Sequence, residues 1–150
     1  MKIMLPSTTK KAAYNTCDKS NKAIRDKTVS EIAQYKDSSE TEITDRINKL
    51  DHEWDVERVL ETNAAFIVLL SSIMGYKNKK CCWFLMTGTV GFFLLQHALQ
   101  GWCPPLPIIR ELGIRTADEI NNNKIALKSL RGDFSNNSKE PNELLIKAEK

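Results

Sequence analysis

The sequence predicts an all-α membrane protein: a two-helix transmembrane hairpin with an amphipathic helix before it and a short helix after it. Two apolar stretches, residues 59–76 and 81–102, are separated only by Lys77-Asn78-Lys79-Lys80. No other part of the 150 residues is comparably apolar, although the mean hydropathy of −0.38 hides this. Capping boxes on either side of the pair mark helix starts in otherwise polar chain. Lipid offers no hydrogen bonds to an exposed backbone, so spanning segments of this kind must be helical.

Residues 1–38 are read as a polar, disordered tail. They are rich in Lys, Ser, Thr and Asn, with too few apolar side chains to offset the entropy of ordering. The opening Met1-Lys2-Ile3-Met4-Leu5-Pro6 is too short an apolar run for a signal-peptide core.

Residues 39–58 are read as the amphipathic helix. Ser39-Glu40-Thr41-Glu42 has the capping-box form, and Ile43, Ile47, Leu50 and Trp54 recur on one stripe. Asp45, Arg46, Lys49, Asp51, Glu53 and Asp55 occupy the other face. Nothing of the helix-breaking kind interrupts Thr41 to Met74, so one helix is expected to run into the first span. Two placements are open: the stripe lies on the membrane surface with Trp54 at the interface, or it packs on the C-terminal chain in water.

The hairpin is placed at residues 59–103. Its first stretch, 59–76, is charge-free only from Ala64 to Tyr76 and reaches spanning length if Arg58 and Glu61 extend toward the headgroups. The second, 81–102, is stronger and is bracketed by Trp83 and Trp102. Ser71 with Gly75, and Thr87, Gly91 and Ala98 on the second stretch, form small-residue faces that let helices approach closely. Such faces join either the two helices of the hairpin or two chains, which leaves a homodimer through the transmembrane helices as an open expectation. A soluble helical hairpin is a weaker third reading, because the polar flanks offer little apolar surface to cover it.

Residues 104–132 form a Pro-rich exit and a short helix. Pro104, Pro105 and Pro107 end the second span, Thr116-Ala117-Asp118-Glu119 supplies a further capping box, and Gly132 stops the helix. Residues 133–150 are read as a mobile tail with a marginal helical turn over Glu143 to Lys150.

Charge and cysteine use bound the chemistry. Lys and Arg alternate with Asp and Glu outside the hairpin tip, where Lys77, Lys79 and Lys80 supply most of the net +3. That is a solvated surface, not a phosphate-binding one, and nucleic acid is not an expected partner. Cys17, Cys81, Cys82 and Cys103 match neither a disulfide framework nor a zinc array, so no metal and no cofactor are expected. For Cys81 and Cys82, palmitoylation and plain packing are both open.

The candidate polar and thiol cluster is Gln96, His97, Gln100 and Cys103. Polar side chains in a spanning helix are costly and therefore functional suspects. Three roles are open for them: interfacial solvation or interhelix hydrogen bonding, proton or ligand handling, and thiol chemistry at Cys103. No catalytic constellation is evident, and the chain is not expected to be an enzyme.

The run Gln96-His97-Ala98-Leu99-Gln100-Gly101-Trp102-Cys103-Pro104-Pro105-Leu106-Pro107, followed by Leu112-Gly113-Ile114-Arg115-Thr116, resembles the YgaP-like inner-membrane transmembrane domain. Asp55-Val56-Glu57-Arg58 resembles the Asp-Arg element at that domain's entrance, and the resemblance covers roughly residues 51 to 117. It implies a bacterial inner-membrane protein with two helices, both termini cytoplasmic, and a homodimer. Some relatives carry a rhodanese domain ahead of it. Cys17-Asp18-Lys19-Ser20-Asn21-Lys22 lacks the surrounding strand–helix alternation of a rhodanese, so sulfur transfer is not carried over. Only Gly101, Cys103 and Pro104 correspond to the family's Gly-x-Cys-Pro element.

Positive charge sits on both sides of the hairpin, three residues at the tip and about five in the flanks. The polar N-terminal stretch and the resemblance favour cytoplasmic termini. The expected function is a small integral inner-membrane protein acting as a non-enzymatic anchor, assembly or interaction module in the lipid bilayer. The alternative is a membrane component of thiol or sulfane-sulfur handling that uses Cys103.

Overall fold

A computed structural model describes residues 7–134; the C-terminal turn expected over Glu143 to Lys150 lies outside them. Among the described residues seven helices follow in order: α1 (Lys11–Tyr14), α2 (Asp18–Gln34), α3 (Glu40–Asp51), α4 (Val56–Asn78), α5 (Cys81–Gln100), α6 (Leu106–Glu111) and α7 (Ala117–Arg131). No strand occurs among the described residues. The chain divides into two compact units, one comprising residues up to Asp26 and Trp54–Glu119, the other Lys27–Glu53 and the chain from Ile120 onward.

The first unit is built on the α4–α5 hairpin. The chain turns over Lys79, the one non-glycine described residue in the left-handed region (φ 52°), whose amide donates to the Gly75 carbonyl at 2.9 Å. Between the two helices the Ser71 and Thr87 hydroxyls meet at 2.6 Å, and Gly75 leaves room for the Phe84 ring. Gly91 and Ala98 are not in this seam. A Cβ on Gly91 would meet nothing within 4 Å, and Ala98 is exposed.

Outward, Phe66, Leu69, Leu85, Phe92 and Leu95 are each more than half exposed. Only 6% of the most apolar window of α5 is buried, whereas the core helix of a soluble protein would be mostly buried. The hairpin therefore has the surface of a membrane-embedded element. A compact apolar core lies at one end, where Ala12, Val56, Leu60, Cys103, Leu106 and Ile109 pack together.

Two boundaries differ from the sequence reading. No single helix runs from Thr41 into the membrane, because the chain leaves helical geometry after Asp51. It restarts at Val56 with Asp55 as N-cap, whose Oδ1 accepts from the Arg58 amide at 2.8 Å. The second span stops at Gln100, because Gly101 takes φ 79° as the C-cap.

Residues 1–38, read as a disordered tail, instead carry α1 and α2. Their order comes from tertiary contacts that composition does not report. Ala12 is buried in the apolar core, while Thr16 and Asn21 hydrogen-bond to Arg110. The exit after Trp102 contains a further helix, α6, because proline is tolerated in a first helical turn.

In the second unit, α3 starts at the Ser39 capping box, and its Ile43, Ile47 and Leu50 pack against Ile120, Leu127 and Tyr35. Of the two placements open for this stripe, packing against the C-terminal chain is the one adopted. Glu31 accepts from Arg46 at 2.6 Å and from Asn123 at 3.1 Å, and Lys124 pairs with Asp51 at 2.5 Å.

Candidate functional site

The candidate site lies at the end of α5. His97 is 2% exposed and its Nε2 stands 2.9 Å from Oε2 of Glu57, a residue of the first turn of α4. Glu57 also faces the Lys11 ammonium at 3.6 Å, and Lys11 reaches the Ala98 carbonyl at 3.4 Å. The Glu57 carboxylate accepts from Nε2–H, which leaves Nδ1 as the second polar atom of the ring. Nδ1 is buried and has no hydrogen-bond partner. The Cys103 thiol lies beside the same ring and is itself 3% exposed.

Local sequence explains how these groups converge. Gly101 ends α5 in a conformation that favours glycine, and a Cβ there would stand 2.6 Å from backbone atoms of Lys11. The chain can therefore turn under α1 and bring Cys103 back toward the last turn of α5. Pro105 and Leu106 then start α6, with the Leu106 amide bonded to the Cys103 carbonyl at 3.1 Å.

A cavity of about 390 Å³ opens beside the pair. At one end stand Asn63, His97 and Cys103; toward the hairpin's middle the walls are apolar, from Ala64 and Ile67 on α4 and Val90 and Phe93 on α5.

Of the cluster singled out from sequence, the structure brings His97 and Cys103 together but not Gln96 or Gln100. Gln96 is half-buried. Gln100 is exposed, and its backbone carbonyl accepts from Asn15 at 2.9 Å. Sequence reasoning missed Glu57 and Lys11. Glu57, Leu60, Ala64, Ile67 and Ser71 recur at helical spacing, and that stripe, followed back from Ser71, leads to the carboxylate.

A second polar assembly is centred on Arg110. Arg110 is 1% exposed, and each N–H of its guanidinium has an acceptor: Thr16 Oγ1, Asn21 Oδ1, the Ile114 carbonyl and both oxygens of Glu119. Glu119 also caps α7, accepting from the Thr116 amide at 2.8 Å. Burial pushes the Glu119 carboxyl up, but the bonds from Arg110 and the Thr116 amide outweigh it and hold it below the ordinary carboxylate value.

The remaining thiols lie apart. Cys17 is exposed, and its hydrogen bond with Ser20 holds the thiol below its usual value. Cys81 and Cys82 are exposed at the start of α5. No grouping of three or more potential metal ligands occurs among the described residues.

The stretch from the Asp55 cap to Glu119, which closes on Arg110, is also what a family comparison picks out. Residues 55–119 match the family described as inner membrane protein YgaP-like, transmembrane domain. Over that stretch, somewhat under half of the chain, the sequence is similar to the YgaP-like transmembrane domain. The chain is accordingly a membrane protein, associated with the lipid bilayer through α4 and α5. Glu57, His97, Cys103 and the Arg110–Glu119 pair all fall within the matched stretch, whereas Lys11, Thr16 and Asn21 are contributed by the chain before it. No curated protein and no solved structure matches the chain.

Proposed function

We propose that the protein is a non-enzymatic anchor and interaction module of the bacterial inner membrane, with both termini cytoplasmic. The observation that carries this reading is the division of labour along the chain. The outward faces of α4 and α5 are apolar and uncovered, whereas α3 and α7 form a polar-surfaced helical cluster of the kind that meets other macromolecules in water. Self-association of the hairpin is part of the proposal, supported by the open face of α5 at Gly88 and Gly91, where an added Cβ meets nothing within 4 Å and a second helix has room to pack closely.

The test is alkaline carbonate washing of membranes combined with an impermeant maleimide on intact cells. Carbonate-resistant protein labelled at Cys81 and Cys82 but not at Cys17 supports the reading. Labelling at Cys17 alone inverts the topology, and release into the soluble fraction overturns the anchor. A Gly91→Leu variant that runs as a monomer where the wild type runs as a dimer supports self-association.

A second reading, thiol or sulfane-sulfur handling at Cys103, is favoured by one observation, the thiol beside the Glu57-oriented imidazole of His97. Loss of sulfur-related activity in Cys103→Ser supports it. Unchanged activity removes it.

A further inference from the structure

The cavity beside His97 joins two features that neither the anchor reading nor the family match accounts for. One end holds a thiol and an imidazole nitrogen, Nδ1 of His97, that is buried and has no hydrogen-bond partner. The walls beyond are apolar and extend along α5 from His97 to Val90, seven residues or about 10 Å of helix. They lie on the flank of a membrane hairpin, the side from which an aliphatic chain arrives.

A small sulfur donor has no use for such a groove, and a polar peptide would leave its backbone amides unpaired against those walls. A ligand with an electrophilic head and a hydrocarbon tail matches both ends. We infer that Cys103 is a covalent acyl-acceptor site, loaded from a long-chain acyl thioester whose chain lies in the groove between α4 and α5.

The step is a thioester exchange. The Cys103 sulfur adds to the acyl carbonyl carbon as the thiol proton passes to Nδ1 of His97. The tetrahedral adduct expels the donor's thiolate, which recovers the proton from His97. One carbon–sulfur bond forms, one breaks, and no oxidation state changes. Glu57 acts as a positioning residue, fixing by its hold on Nε2 which nitrogen faces the thiol. The modification is stoichiometric and requires no turnover. It rests on the hairpin lying in the bilayer but not on the non-enzymatic anchor role: release by carbonate removes both, whereas a carbonate-resistant chain that takes no acyl group removes this inference alone.

The test uses the full chain in phospholipid nanodiscs, incubated with palmitoyl-CoA or acetyl-CoA and read by intact mass and hydroxylamine release. Expected is one hydroxylamine-labile palmitoyl group, retained in a Cys17→Ser/Cys81→Ser/Cys82→Ser variant and lost in Cys103→Ser. His97→Gln slows loading by about 10²-fold or more, the usual contribution of a positioned base. Because Cys103→Ser and His97→Gln alter buried groups, Ala64→Trp provides the control: it fills the groove, blocking palmitoyl transfer while acetyl transfer persists. Palmitoylation at Cys81 or Cys82 alone, a rate indifferent to chain length, or retention of phospholipid without a covalent adduct each overturns the inference.

Discussion

Both carboxylate oxygens of Glu119 hold the guanidinium of Arg110, each at 2.7 Å, and the arginine side chain has no exposed surface. Removing one partner of such a pair strands the other. Glu119→Gln is expected to cost about 3–5 kcal/mol, and thermal unfolding in detergent micelles, followed by circular dichroism, measures it. A loss below 1 kcal/mol would show that the pair is solvated.

The same pair sets an acid limit. The Glu119 carboxyl is held below its ordinary value in the folded protein, so its contribution is fully present above the unfolded value of about 4.3. It is lost as pH falls through that region toward the lowered folded value. Chemical denaturation of the wild type and Glu119→Gln from pH 7 to pH 3 is expected to give stabilities that converge on acidification. A constant gap assigns the effect to packing.

The hairpin seam discriminates between glycines. Gly75→Leu drives a branched side chain into the Phe84 ring and is expected to destabilise the hairpin by about 1–3 kcal/mol. Gly91→Leu meets open space and is expected to leave monomer stability unchanged. Unfolding of the two variants in the same micelles decides whether the seam lies where Ser71 meets Thr87.

Gly101 has a different reason to be glycine. Its φ of 79° and the 2.6 Å approach to Lys11 exclude a Cβ, so Gly101→Ala is expected to displace α1 at a cost of at least about 1 kcal/mol. Limited proteolysis between Tyr14 and Asp18 reports it: faster cleavage in the variant supports the contact, and equal rates remove it.

How much of this could be read from the sequence depended on the range of the interactions. The hairpin was legible because its signal is local: two apolar runs and a basic turn between them. The helix starts at Ser39 and Thr116 were legible for the same reason, since a capping box spans four residues. The helices α1 and α2 were missed because the chain around their junction is held by Arg110, whose partners Thr16 and Asn21 lie 94 and 89 residues away. The Pro-rich exit concealed α6, since proline at a first turn resembles proline in an extended segment. In the candidate site, His97 and Cys103 are near neighbours in sequence, but Glu57 lies 40 residues from the histidine it orients. Gln96 and Gln100 were singled out as polar residues in a span, yet neither stands in the cavity beside the thiol.

The reach of Arg110 back to Thr16 and Asn21 also orders the protein's biosynthesis. At about 5–20 residues per second, the ribosome makes those two acceptors roughly 5 to 20 s before the guanidinium they bind. Within that interval both spans are translated, and the chain must double back so that its two flanks face one compartment. A chain in which only one span has crossed leaves Arg110 and its two N-terminal acceptors on opposite sides of the bilayer, and the clasp cannot close.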